Sequence, residues 1–266
     1  MKYSKDKTMN QQSYFDISRF WLLLKMELFR SKSAVGMTIV ITFGVLFFID
    51  LMLSTLVEQN KVIHDHTESY AFTLMIGGFI LSSLAFNDLS NTLRSYNYLT
   101  LPSSTLEKVI SMWLLTSFGW IIMFTITFTF YTMIANPIGH LIFNRVSFQA
   151  FNPVGEFAMT TMKAYFVLQG IFLVGATRFK GYALPKTLFV LLLFAMFCIT
   201  IIYFTLGDLF LGDHECFYDE NGVVQCELID AMAIHRIWHI IQWLFWWVLA
   251  PVCWVIAYLG LKEKEV

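Results

Sequence analysis

Long apolar stretches alternate with short polar connections along this chain, and their length matches the thickness of a bilayer rather than the dimensions of a globular core. A helix needs about 20 mostly apolar residues to cross about 30 Å of hydrocarbon. Residues 34–56, 69–87, 109–134, 157–177, 187–207 and 237–261 meet that requirement. The pattern predicts an all-α integral membrane protein with six transmembrane helices, forming a single domain over residues 1–266. The fourth stretch is the weakest, because a full span there takes in Lys163. A lysine near a helix end can reach the headgroups, so 157–177 reads as a span, with a re-entrant or tilted segment as the alternative.

The polar positions predict the connections. Residues 13–31 form an amphipathic interfacial helix ahead of the first span, opened by the capping-box spacing of Ser13 and Asp16. Asp16, Arg19, Glu27 and Arg30 share one arc, Phe20, Trp21, Leu24 and Leu28 lie mostly elsewhere, and Lys25 interrupts the apolar side. Between the second and third spans, 88–97 is a short exposed helix or an ordinary loop. Pro102 ends it, and Ser104 with Glu107 opens the third span as a second capping box. Arg178 to Lys186, punctuated by Gly181 and Pro185, is a tight basic turn. The longest connection, 208–235, holds a hairpin around Asn221-Gly222 that sets Cys216 opposite Cys226.

Composition strengthens the membrane reading: 57% of residues are hydrophobic and the mean hydropathy is +0.63. Charge then gives an orientation. Fourteen of the eighteen basic residues fall on one side: Lys2, Lys5, Lys7, Arg19, Lys25, Arg30, Lys32, Arg94, Lys108, Arg178, Lys180, Lys186, Lys262 and Lys264. Lys61, Arg145, Lys163 and Arg236 fall on the other. The positive-inside rule places both termini in the cytoplasm and the 208–235 hairpin outside. The first apolar run begins only at Ala34, so no cleavable signal peptide is expected. Net charge −1 without a basic tract offers nothing to nucleic acid.

Chemistry is sparse. GxxxxGK[ST], GxSxG and HExxH are absent, so the chain is not expected to be an enzyme or to hold a cofactor. His64 and His66 flank Asp65, and His235 and His239 share a helix face near Asp213, His214 and Glu215, but no cysteine–histidine framework accompanies them. Beside Trp238, Trp243, Trp246 and Trp247 the latter pair fits an aromatic belt better than a metal site. Asp50 lies about two turns from the polar end of its span, a position water can reach, and Gln169 and Gln242 are mid-span polar groups suited to interhelical bonds. Cys198 and Cys253 sit within spans as small apolar residues. Cys216 and Cys226 form a disulfide in an oxidising compartment, or else two free thiols.

Two stretches and the topology carry a resemblance. YLTLPSSTLEKVISMWLLTS (98–117) and IFLVGATRFKGYALPKTL (171–188) resemble segments of bacterial type-2 ABC exporter permeases. The amphipathic entry helix, six spans and large outer segment before the last span are similar to the layout of that family. The resemblance implies a membrane-spanning subunit in the bacterial inner membrane, paired as a homodimer or heterodimer with a second permease and driven by a separate ABC ATPase. It places ATPase docking on 88–102, with Asp88, Arg94, Leu101, Pro102, Glu107 and Lys108 as the candidate residues and capping as the other role for the last two. It also allows a re-entrant helix near 207–212. High aromatic content with few intramembrane charges favours an amphipathic cargo, whether lipid-like, peptide or drug-like. Two other classes stay open: a membrane assembly or sensor protein, and a secondary carrier coupling protons through Asp50 and the histidines.

Overall fold

The computed structural model describes residues 15–56, 63–64, 66–90, 92–142, 147–148, 151–211, 216–218, 224–226 and 231–265. Its order is α1 (Ile17–Leu56), β1 (Ile63–His64), α2 (Thr67–Leu84), a 3-10 turn (Asn87–Ser90), α3 (Thr92–Leu99), α4 (Thr105–Leu114), a π-helical turn (Leu115–Gly119) and α5 (Trp120–Ile142). There follow β2 (Ser147–Phe148), α6 (Glu156–Arg178), α7 (Ala183–Leu211), β3 (Cys216–Tyr218), β4 (Val224–Cys226), α8 (Ala231–Trp247) and α9 (Leu249–Glu265). Helices dominate, as the apolar pattern requires, because only closed backbone hydrogen bonding is tolerated in hydrocarbon. Among the described residues three helices are long and apolar enough to cross a membrane: Thr105–Ile138, Glu156–Arg178 and Ala183–Ile201. A bent pair, Trp238–Trp247 with Leu249–Lys264, makes a fourth if it counts as one span. These correspond to the third to sixth of the six expected spans; α1 and α2, where the first two were expected, are not among them.

Three further elements differ from the sequence expectation. The interfacial helix and the first span are not separated: α1 runs unbroken for 40 residues. Ser31-Lys32-Ser33 is polar but contains no glycine or proline, and polarity alone does not break the i to i−4 ladder. Its cap is Asp16, whose Oδ1 accepts the Ser18 N–H at 2.8 Å and whose carbonyl accepts the Phe20 N–H at 2.9 Å; Ser13 lies outside the described residues. The last stretch, expected to be continuous, bends by 42° between α8 and α9. Pro251 stands in the first turn of α9 and has no N–H to return to the preceding turn, so the break falls just before it. Finally, 207–211 continues α7 as ordinary helix.

The expected weak span is instead the hub. Unbroken for 23 residues, α6 carries Lys163 on an exposed face in its early turns, and it packs chiefly against α9 and α2, with the start of α7 beside it. Small residues allow the approach. A β-carbon at Gly78 of α2 would strike the Tyr165 ring, one at Gly175 the Thr187 hydroxyl, and one at Gly260 of α9 would lie 3.1 Å from Thr177 Oγ1. Two cores result. Tyr70, Leu74, Trp120, Phe124, Phe128, Phe151, Ala158 and Tyr165 fill one end; Phe86, Leu89, Tyr98, Val109, Met112, Leu173, Ala176, Ala257 and Leu261 fill the other. The span portion of α7 is only 6% buried, a surface suited to lipid.

Candidate functional site

The second core lies at the end of the bundle where the charged helix termini gather. α1 enters there, the 3-10 turn and α3 cross it, α4 starts from it, and α6 and α9 end at it. Ion pairs fasten it: Arg19 to Glu107 at 3.3 Å, Arg30 to Asp88 at 2.5 Å, and Arg178 to Glu263 at 2.7 Å.

Glu107 is the joint of this end. Its side chain is fully buried, and the predicted capping box is present, with the Glu107 N–H reaching Ser104 Oγ at 3.2 Å and the Ser104 N–H reaching Glu107 Oε2 at 2.9 Å. The other carboxylate oxygen, Oε1, accepts the Asp16 N–H at 2.7 Å and Arg19 Nη2 at 3.3 Å. One carboxylate therefore closes the first turn of α4 and holds the first turn of α1 against it. Lys108 is equally buried, with Nζ 5.6 Å from the centre of the Tyr98 ring. Neither side chain is open to a partner.

α3 has two unlike faces. Tyr98 is 4% exposed and packs with Leu89 and Phe86 of the core. Leu93 and Tyr96, on the opposite face, are 81% and 70% exposed, and Asn97 and Thr100 continue that face at helical spacing. Of the sequence candidates, Asp88 is held by Arg30, Pro102 is exposed and Leu101 is half-buried against the core. The side chain of Arg94 lies outside those described. Leu93 and Tyr96 were not singled out from the sequence, although their i, i+3 spacing in a polar stretch was the available signal. Beside Asp88, Glu27 of α1 is nearly buried; burial pushes its carboxyl above the usual range, with Arg30 opposing the shift and Asp88 adding to it.

A polar knot occupies the middle of the bundle. In the π-helical turn the Trp120 N–H reaches back to the Leu115 carbonyl, so an extra residue is accommodated and the Thr116 carbonyl takes the Tyr165 hydroxyl as donor. Gln169 of α6 is fully buried, and its Oε1 accepts from Thr116 Oγ1 at 3.3 Å and Ser82 Oγ at 3.5 Å. This bears on the interhelical role expected of Gln169: it ties α2, the π turn and α6 together. Ser82, Thr116 and Tyr165 carried no distinguishing sequence signal.

At the opposite end His66 precedes α2 and is 1% exposed, with Nε2 2.7 Å from Asn136 Oδ1. β1 pairs in parallel with β2, and β3 pairs antiparallel with β4 in a register that sets Cys216 opposite Cys226. The side chains of these two cysteines, of Asp50, His64 and His235, and all of Asn221-Gly222, lie outside those described. Cys198 and Cys253 are free thiols. His239, Gln242, Trp243 and Trp246 line an open, shallow depression on α8. Among the described residues no group of three histidine, cysteine or carboxylate side chains is placed to hold a metal ion. No family model, no curated protein and no solved structure matches the chain.

Proposed function

We propose that this chain is the membrane-spanning subunit of an ATP-driven transporter of the ABC exporter kind, energised by a separate ATPase that docks on α3. The observation that carries the reading is the exposed Leu93 and Tyr96 face of a helix whose other face is anchored through Tyr98, and whose preceding 3-10 turn is held by the Asp88–Arg30 pair. An apolar patch on a short, rigidly mounted helix outside the apolar spans gives a partner purchase and gives its movements a route into the bundle. The docking residues of the proposal are accordingly Leu93, Tyr96 and Pro102 with the nearby Asp88 and Arg94. Glu107 and Lys108 serve beneath them as supports.

The remaining parts of the proposal follow from the resemblance and the charge pattern. The chain works in a bacterial inner membrane with both termini and the docking face in the cytoplasm, pairs with a second permease, and moves an amphipathic compound. A Cys216–Cys226 bridge closes the outer hairpin; it rests on the backbone register, and intact-mass measurement with and without reductant tests it.

The decisive experiment is purification in mild detergent with ATP turnover as the readout. A P-loop ATPase should accompany the chain, and Leu93→Ser with Tyr96→Ser should strip it away while the permease remains folded. Absence of any ATPase activity from the wild-type preparation, or full retention of that activity by the double variant, overturns the reading.

A further inference from the structure

We propose that the α6–α7 turn and the last turn of α9 form a binding site for a phosphate group, supplied most directly by an anionic phospholipid at the membrane edge. The described cations there are Arg178 at the end of α6, Lys180 in the turn, Lys186 in the first turn of α7, and Lys262 and Lys264 in the last turn of α9. The one carboxylate among these segments whose side chain is described, Glu263, is already engaged by Arg178, at 2.7 Å and 3.5 Å to its two oxygens. Lys186 donates to the Lys180 carbonyl at 3.0 Å. Lys180, Lys262 and Lys264 have no carboxylate partner among the described residues.

The disposition of Lys264 sets this apart from a diffuse basic surface. A terminal lysine would ordinarily extend its ammonium into water. Here Nζ is turned inward, shielded from solvent, with no hydrogen-bond partner among the described residues and with the like charges of Lys180 and Arg178 acting on it. An ammonium held among like charges without an acceptor is unfavourable, and a phosphate resolves it by offering several oxygens to three cations at once. Gly260 makes the convergence possible: a β-carbon there would lie 3.3 Å from Arg178 Nε.

The turn is shaped for the same role. Gly181 and Tyr182 both adopt left-handed backbone, with φ of 63° and 51°. Such a conformation is costly for a tyrosine and is kept where the surroundings impose it. Tyr182 is 84% exposed just ahead of the apolar α7, and tyrosine rings at the ends of spans settle among headgroups. Charges that merely orient the chain or complement helix C-termini need neither the strained turn nor the inward ammonium.

Native mass spectrometry of the detergent-purified chain, titrated with phosphatidylglycerol, phosphatidylcholine or inorganic phosphate, tests the site. Phosphatidylglycerol should bind at least tenfold more tightly than phosphatidylcholine. The pair Lys180→Gln, Lys264→Gln should weaken it about thirtyfold, taking the usual contribution of each basic residue at a charged membrane surface. Lys180→Arg with Lys264→Arg should retain it, which guards against a folding defect. Competition by millimolar inorganic phosphate would keep the site and assign it to a soluble phosphate. Equal binding of the two lipids without phosphate competition overturns the proposal. So does an equal loss in Lys25→Gln with Lys32→Gln, which removes the same charge from α1.

Discussion

The hydroxyl of Tyr165 on α6 donates to the main-chain carbonyl of Thr116 inside the π-helical turn, and it does so because position 78 of α2 is glycine. The Tyr165 ring occupies the volume where a β-carbon at 78 would stand. Gly78→Ala is therefore expected to displace the ring and to cost about 1–3 kcal/mol, the usual penalty of overpacking. Tyr165→Phe keeps the ring and removes only the hydrogen bond, for about 0.6–1.5 kcal/mol. Unfolding in mixed detergent micelles should rank the two in that order, and a larger loss in Tyr165→Phe would show that the π turn depends on the hydroxyl rather than on the packing.

Glu107 joins two helix starts through one carboxylate. Replacement by alanine removes the side-chain half of the α4 capping box and leaves the Asp16 and Ser104 N–H groups without their acceptor, a loss of about 3 kcal/mol. Glu107→Gln retains the shape and one carbonyl oxygen, so its effect should be smaller. Amide exchange at Ser18 to Phe20 reads the joint directly. Protection there that is unchanged in the alanine variant would mean that α1 is held by other contacts.

Stability should depend on pH through Glu27. Burial raises its folded-state pKa above the ordinary value of 4.5, so the folded protein binds the proton more tightly than the unfolded chain does. The associated stabilisation is complete below that value and is lost as the pH rises through the raised folded pKa. Thermal midpoints should fall over that interval, and Glu27→Gln should raise the midpoint at neutral pH and flatten its pH dependence. A wild-type profile that rises over the interval would contradict the assignment.

Gly175 gives way to Thr187 at the contact of α6 and α7. The hydroxyl of Thr187 bonds to the Ala183 carbonyl at 2.8 Å, which fixes its rotamer and leaves no easy retreat from a methyl group at 175. Gly175→Ala should cost about 1–3 kcal/mol. The companion change Thr187→Ala should recover most of that cost in a double-mutant cycle, and additive losses would show that the two positions are not coupled.

Much of the helix layout was legible because length and apolarity suffice to mark segments suited to hydrocarbon. The fourth stretch looked weak only because Lys163 falls inside it; in three dimensions that lysine points away from the packed faces. That α6 is the hub could not be read from the chain, since Gly170 and Gly175 mean close approach only once their neighbours are known. The continuity of α1 was hidden by a polar Ser31-Lys32-Ser33 that resembles a boundary yet contains nothing to break a helix. The bend between α8 and α9 was not read from Pro251, because a proline near a helix start and one within a helix look the same in sequence. The π turn was invisible, because one inserted residue rotates the side chains without changing their polarity. At the basic end, the Ser104–Glu107 spacing revealed the cap but not the second use of the same carboxylate by Asp16 and Arg19, which are far away in sequence.

The unbroken α1 has a mechanical consequence. Its 40 residues rise about 60 Å, twice the depth of the hydrocarbon layer, so a crossing close to the membrane normal leaves about half of the rod outside it. The rod is fastened twice, at its start by Glu107 and farther along by Phe43, which stacks on Phe124 and Tyr131, so it links the two cores. A rotation of about 10° at the first fastening carries the second, about 40 Å along the helix, through about 7 Å.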